Sequence, residues 1–169
     1  MNNDKEKFDE ELTLLLQDPN ICQMENFPQH KSSNTLKHSV SVAKLSFSLA
    51  EKFGWDISEA ELVKGALLHD YYLYNARTED ISGYSHGISH PETALRNAMK
   101  DFDLTGKEKN IIRGHMWPLT LFSPPRSKEA ILVCIADKYV AAKEMSFKKN
   151  KKTYFYRRNG RKGRSHTRG

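Results

Sequence analysis

Apolar residues recur at helical spacing along almost the whole chain, and no stretch alternates with period two for long enough to propose a strand. Phe8, Leu12, Leu15 and Leu16 mark a first helix over residues 4–17, stopped at Asp18-Pro19. A short apolar stretch over 21–27 ends at Pro28. The next helix, 36–53, carries the stripe Leu36, Val40, Ala43, Phe47 and Ala50. Val42, Leu45 and Leu49 widen it, which predicts a central position. Asn34 or Thr35 is placed to cap it and Gly54 to end it. Ser58 with Glu61 reads as a capping box opening a helix to about Tyr74. A loop rich in Gly, Ser and charge follows over 75–89. Pro91 suits the first turn of a helix running to about Phe102. Thr105 with Glu108 forms a second capping box, opening a helix through Met116. After a loop over 117–125, Ser127 caps the last long helix, through about Phe147. The expectation is an all-α bundle of about six helices, with no internal repeat.

Composition narrows the class. A chain of 169 residues suits one domain with a real core. Cys22 and Cys134 lie far apart without paired spacing, which argues against a disulfide framework or a thiolate zinc site and suits a reducing cytoplasm. The longest apolar run, 130–136, is far short of the roughly 20 residues needed to cross a bilayer. The segment MNNDKEKFDE has no apolar signal core. The net charge of +6 divides unevenly: residues 147–169 hold ten Lys or Arg and no acid, which leaves 17 basic and 21 acidic residues elsewhere, a net of −4. The chain therefore reads as an acidic domain, 1–147, with a basic, flexible tail, 148–169. The argument for nucleic-acid contact applies to that tail alone, where Tyr154, Phe155 and Tyr156 interleave with the bases.

The polar residues that interrupt the apolar stripes carry the chemistry. His69 falls on the line Leu62, Ala66, His69, Leu73, and Asp70 on Val63, Leu67, Asp70, Tyr74. Asp137 falls on Ala130, Cys134, Asp137, Ala141. His115 follows Ile111 and Ile112, and His38 precedes Val42 by one turn. His90 stands at the expected helix start. Each should face the interior, where an unpaired carboxylate costs many kcal/mol. Imidazoles and carboxylates converging from several helices of a bundle suit a divalent ion.

These residues, in this order, resemble the HD-domain metallohydrolase superfamily. The resemblance rests on His38, the His69-Asp70 doublet in ALLHDYYLY, His90 in SHPETAL, His115 in GHMWPLT and Asp137 in CIADKYVAAKE, over about residues 35–145. It implies an HD-domain-like helical bundle. The extra histidines at 90 and 115 are similar to the branch that holds two metals. By that resemblance, one divalent ion (Fe, Mn, Zn or Mg) takes His38, His69, Asp70 and Asp137, and a second takes His90 and His115 with Asp70 bridging. His69 and Asp70 then form the catalytic core, and a metal-activated water attacks phosphorus in a nucleotide or related phosphoester. Tyr71-Tyr72 stands where cyclic-dinucleotide enzymes of the branch have Gly-Lys, and no Gly-Tyr-Pro segment follows. The chain resembles instead small bacterial HD proteins with HDYYLY and HMWPLT segments.

His86 and Arg77 in the 75–89 loop, Lys138 beside Asp137, and Trp117 beyond His115 are the candidates for substrate contact. The expected activity is a cytoplasmic, metal-dependent phosphohydrolase. The alternatives are a di-iron oxygenase of the same superfamily, or a nucleic-acid-binding or regulatory protein whose metal is structural.

Overall fold

Helix α1 (Asn2–Leu15) leads through the short α2 (Pro19–Cys22) and a 3-10 turn (Gln23–Asn26) to α3 (Thr35–Phe53). There follow α4 (Glu59–Leu68), α5 (Gly83–Asp101), α6 (Gly106–Gly114) and α7 (Lys128–Asn159). This computed structural model describes residues 2–29, 33–75 and 83–159; the side chains of 2, 83, 84, 86 and 147–159 lie outside the description. Among the described residues there is no strand, and a single isolated bridge joins Pro28 to Asn34. No helix among them is long and apolar enough to cross a membrane.

The expected caps explain where most helices begin. Asn34 accepts from Lys37 N at 2.8 Å, and Gly54 ends α3 with a left-handed φ of 62° that a residue with a Cβ adopts at a cost. Thr105 and Glu108 form the full reciprocal box at α6. Ser58 accepts from Glu61 N, but the return half of its box is absent. The Ser58 N–H instead donates to Glu129 Oε1 at 2.9 Å, which ties the start of α4 to α7.

Helix α3 packs against α7 and α4; α4 also meets α6 and α1, and α6 meets α7 and α5. Between them lie Val42, Leu62, Leu67, Ile111, Ile112, Leu132 and Val133, all fully buried. Each large aliphatic contributes about 1.5–3 kcal/mol of transfer free energy. Phe8 closes one end by stacking on Phe47, with ring centroids 4.4 Å apart.

Three helix boundaries differ from the sequence expectation by more than two residues. Helix α4 stops at Leu68, not near Tyr74. Tyr71 N donates to Leu68 O and Tyr72 N to Asp70 O, and Leu73 has φ 54°, which no right-handed helix can continue. Asn97 Nδ2 on α5 holds the Tyr72 carbonyl at 2.9 Å, so a tertiary bond replaces the helical ladder. Helix α5 begins at Gly83 and carries Pro91 inside it, not at its first turn. Pro91 costs one ladder bond, but Pro91, Ala94, Leu95 and Ala98 are all buried, and α5 packs on α6. Helix α7 runs to Asn159, twelve residues past Phe147. Lys and Arg are good helix formers, and no Gly or Pro intervenes before Gly160. The first part of the segment read as a tail is therefore helical, and residues 160–169 lie outside the described residues.

Candidate metal centre

Five separate segments deliver the six residues. His38 comes from the first turns of α3, and His69 is the C-cap of α4 with Asp70 in the turn beyond. His90 comes from the interior of α5, His115 from the C-cap of α6 and Asp137 from α7. All six are buried. Because α4 has ended, the turn at Asp70 aims two successive side chains into one space. On a continued helix they would splay by about 100°.

The two oxygens of Asp70 divide the histidines between them. Oδ2 lies 3.3 Å from His69 Nε2 and 3.8 Å from His38 Nε2. Oδ1 lies 3.2 Å from His90 Nε2 and 3.6 Å from His115 Nε2. Asp137 Oδ1 is 3.1 Å from His38 Nε2 and 3.7 Å from His69 Nε2. His90 and His115 meet through their Nε2 atoms at 2.8 Å. Two groups have donor atoms all within 4.8 Å of one another: His38, His69 and Asp137, and His69, Asp70 and His115.

The opposite edge of three imidazoles is already engaged. His69 Nδ1 donates to Ala66 O and His115 Nδ1 to Ile112 O, each at 2.7 Å, and His38 Nδ1 meets Glu144 Oε2 at 3.1 Å. Those contacts fix the ring orientation and leave Nε2 facing the shared space, the arrangement that metal-ligating histidines adopt. His69 Nε2 and Asp70 Oδ1 are buried and make no well-formed hydrogen bond. A buried orphan of this kind costs about 1–3 kcal/mol. Two of them facing one space, within a set of nitrogen and carboxylate donors, fit a divalent cation.

Charge in the cluster is strongly coupled. Burial pushes His38 down, but the Asp137 and Glu144 carboxylates and the charge of Asp70 outweigh it and carry His38 up to about 9. Burial likewise opposes, and Asp70 and Asp137 override it, in raising His69 well above the usual imidazole range. Both carboxylates are driven up by burial and further down by the histidines, His69 first for Asp70 and His38 first for Asp137, so both stay ionised. His115 falls to about 3, from burial and then the charges of His69 and His90, so it stays neutral, with its Nε2 against His90 Nε2.

The centre opens on one side into a cleft of about 630 Å³. Asp70, His90, His115 and Asp137 line its floor with Gln29; Met116, Pro118, Leu119, Ala141 and Met145 line the walls. Of the residues read for substrate contact, Lys138 borders the cleft, but its ammonium turns away. Nζ donates to His115 O at 2.8 Å and to Cys134 O and Sγ at 3.2 Å, which accounts for all three of its protons. Trp117 is exposed and is not among the lining residues. Arg77 and the His86 side chain lie outside the described residues, as do His30 and His166.

Two functional residues were missed. Glu144 follows Asp137 by seven positions, so the line Ala130, Cys134, Asp137, Ala141 extends straight to it. Gln29 gives no such signal, since it sits in a loop. Its Nε2 donates to Asp70 Oδ2, while Tyr72 Oη donates to its Oε1; Thr35 Oγ1 gives its one proton to Phe27 O at 3.0 Å.

The family model described as HD domain matches residues 35–142, more than half of the chain and all six cluster residues. No curated protein and no solved structure matches it.

Proposed function

The chain belongs to the HD-domain family, which implies the metal-dependent phosphohydrolase superfamily, and from that footing we propose that it hydrolyses a phosphate ester or anhydride with two divalent ions. The observation that carries the second ion is the division of Asp70: Oδ2 faces His38 and His69, Oδ1 faces His90 and His115. One ion is assigned to His38, His69, Asp70 and Asp137, the other to His90, His115 and Asp70. Divalent ions held there would neutralise phosphate oxygens and bring the pKa of water toward neutrality.

The chain's own residues prepare that chemistry. Asp70 and Asp137 remain ionised, so two carboxylate ligands stand ready for a cation without losing a proton. Gln29, itself held by Tyr72, sets the orientation of the Asp70 carboxylate. Glu144 sets His38 in the same way. Lys138 ties the last carbonyl of α6 to α7 and so fixes His115 in place. Catalytic work is assigned to His69, which belongs to both donor groups, and to Asp70, which faces four histidines.

The test is hydrolysis by protein loaded with Mn, Fe, Zn or Mg across a panel of phosphoesters and nucleotides. Asp70→Asn should lower turnover by about a thousandfold or more, since it removes the charge common to both ions. Unchanged turnover in that variant would sink the reading.

A further inference from the structure

The walls of the cleft are unlike its floor. Beside the carboxylates and imidazoles the lining includes Met116, Pro118, Leu119, Ala141 and Met145, all apolar. Lys138 is the one cation among the described lining residues, and its three protons are spent on the protein. Leu119 and Met145, both in that lining, are 40% and 58% exposed. A lone exposed Leu means little, but several large apolar side chains gathered in one pocket mark a binding surface.

Space is also kept open there. Gly87 lies against Leu119, and a Cβ at that position would sit 2.9 Å from Leu119 Cδ2. A side chain at 87 would have to displace the end of Leu119, so Gly87 and Leu119 adjoin in the lining of the cleft.

A site for a nucleoside polyphosphate needs donors for several phosphate oxygens and the ribose hydroxyls. The described walls have none free. We propose that the substrate is a phosphate ester whose organic group is apolar, such as an aryl or alkyl group. Its phosphate sits at the metal centre and the organic group lies against Met116, Leu119 and Met145. This narrows the phosphohydrolase reading and rests on it. In the reaction, water oxygen bonds to phosphorus, the P–O bond to the organic group breaks, and the water's proton ends on the departing alcohol or phenol oxygen.

Two measurements test it. The first is binding of naphthylmethylphosphonate, which cannot be hydrolysed, to protein labelled with ¹³C at the methionine methyls. Met116 and Met145 line the cleft, whereas Met24 is buried in the core and Met99 lies exposed on α5. The expected result is saturable shifts at Met116 and Met145 alone, with methylphosphonate about tenfold weaker or more. Equal affinity for the two phosphonates, or shifts absent from Met116 and Met145, overturns the proposal. The second is kcat/KM for naphthyl phosphate against a nucleoside triphosphate in metal-loaded protein. Naphthyl phosphate should be favoured, and Leu119→Gln and Met145→Gln, both at exposed positions, should each raise its KM by about threefold to tenfold. A nucleotide preferred over naphthyl phosphate overturns this inference and leaves the phosphohydrolase reading intact. Hydrolysis of neither overturns both.

Discussion

Replacing Glu144 separates a metal centre from a merely buried polar cluster. Its Oε2 lies 3.1 Å from His38 Nδ1, and its side chain is 18% exposed, so the pair is largely shielded from solvent. A hydrogen bond to a charged partner in such a setting contributes about 1.5–3 kcal/mol. Loss of a carboxylate behind a ligating histidine typically weakens metal affinity by about 10–100-fold, or roughly 1.4–2.8 kcal/mol. The two ranges agree, and about 2 kcal/mol is the expected cost of Glu144→Ala. Glu144→Gln keeps the shape and an acceptor but loses the charge, so about tenfold is expected for it. The assay is competition with a chelating dye at pH 7.5, resolving the tighter and weaker ions. His38 faces Asp70 Oδ2, whereas His90 and His115 face Oδ1. The effect should therefore fall on one ion, and the other should change by less than about threefold. Constants unchanged within about twofold in both variants, with helicity intact, would refute the reasoning.

Other outcomes follow from the same geometry. In metal-free protein His38 sits near 9 against an ordinary 6.5, so its protonation stabilises the fold. That contribution is complete below pH 6.5 and is lost as pH rises through 9, at most about 3 kcal/mol. The Tm of metal-free protein should fall over that window while the loaded form holds level, and a flat metal-free profile would contradict it. Asp70 and Asp137 are shifted the other way, so their contribution is present above about pH 4 and is lost only at lower pH. Because His38 and His69 are protonated at neutral pH in the metal-free state, ion binding should release protons. Calorimetry in buffers of different ionisation enthalpy checks this, and no buffer dependence would count against it. Asn97→Ala should cost about 1–2 kcal/mol in urea unfolding, since it frees the Tyr72 carbonyl and loosens the turn that aims Asp70. It should also weaken metal binding, and an effect on stability alone would disconnect the turn from the centre.

Five of the six clustered residues were legible because each breaks an apolar stripe, with His90 added at an expected helix start, and burial of so many polar groups demands a common partner. Glu144 was equally legible on the extended Asp137 line. Gln29 was not, because a loop residue reaches Asp70 only through the tertiary fold. The end of α4 was hidden for a similar reason. Leu73 and Tyr74 continue the apolar spacing, yet Asn97 and the left-handed Leu73 turn the chain away. Pro91 read as a helix start because its intrinsic preference is for the first turn; packing of α5 on α6 overrides that preference. The division of charge was visible at once, but the basic segment's first dozen residues extend α7 as helix.

The central claim is that this buried cluster holds two ions about a shared aspartate. Elemental analysis of protein stripped with chelator, reloaded with a single divalent metal and desalted tests it most directly. The account predicts about two ions per chain in the unchanged protein and at most one in His115→Ala, which removes a ligand of one ion only. One ion per chain or fewer in the folded, unchanged protein would contradict it.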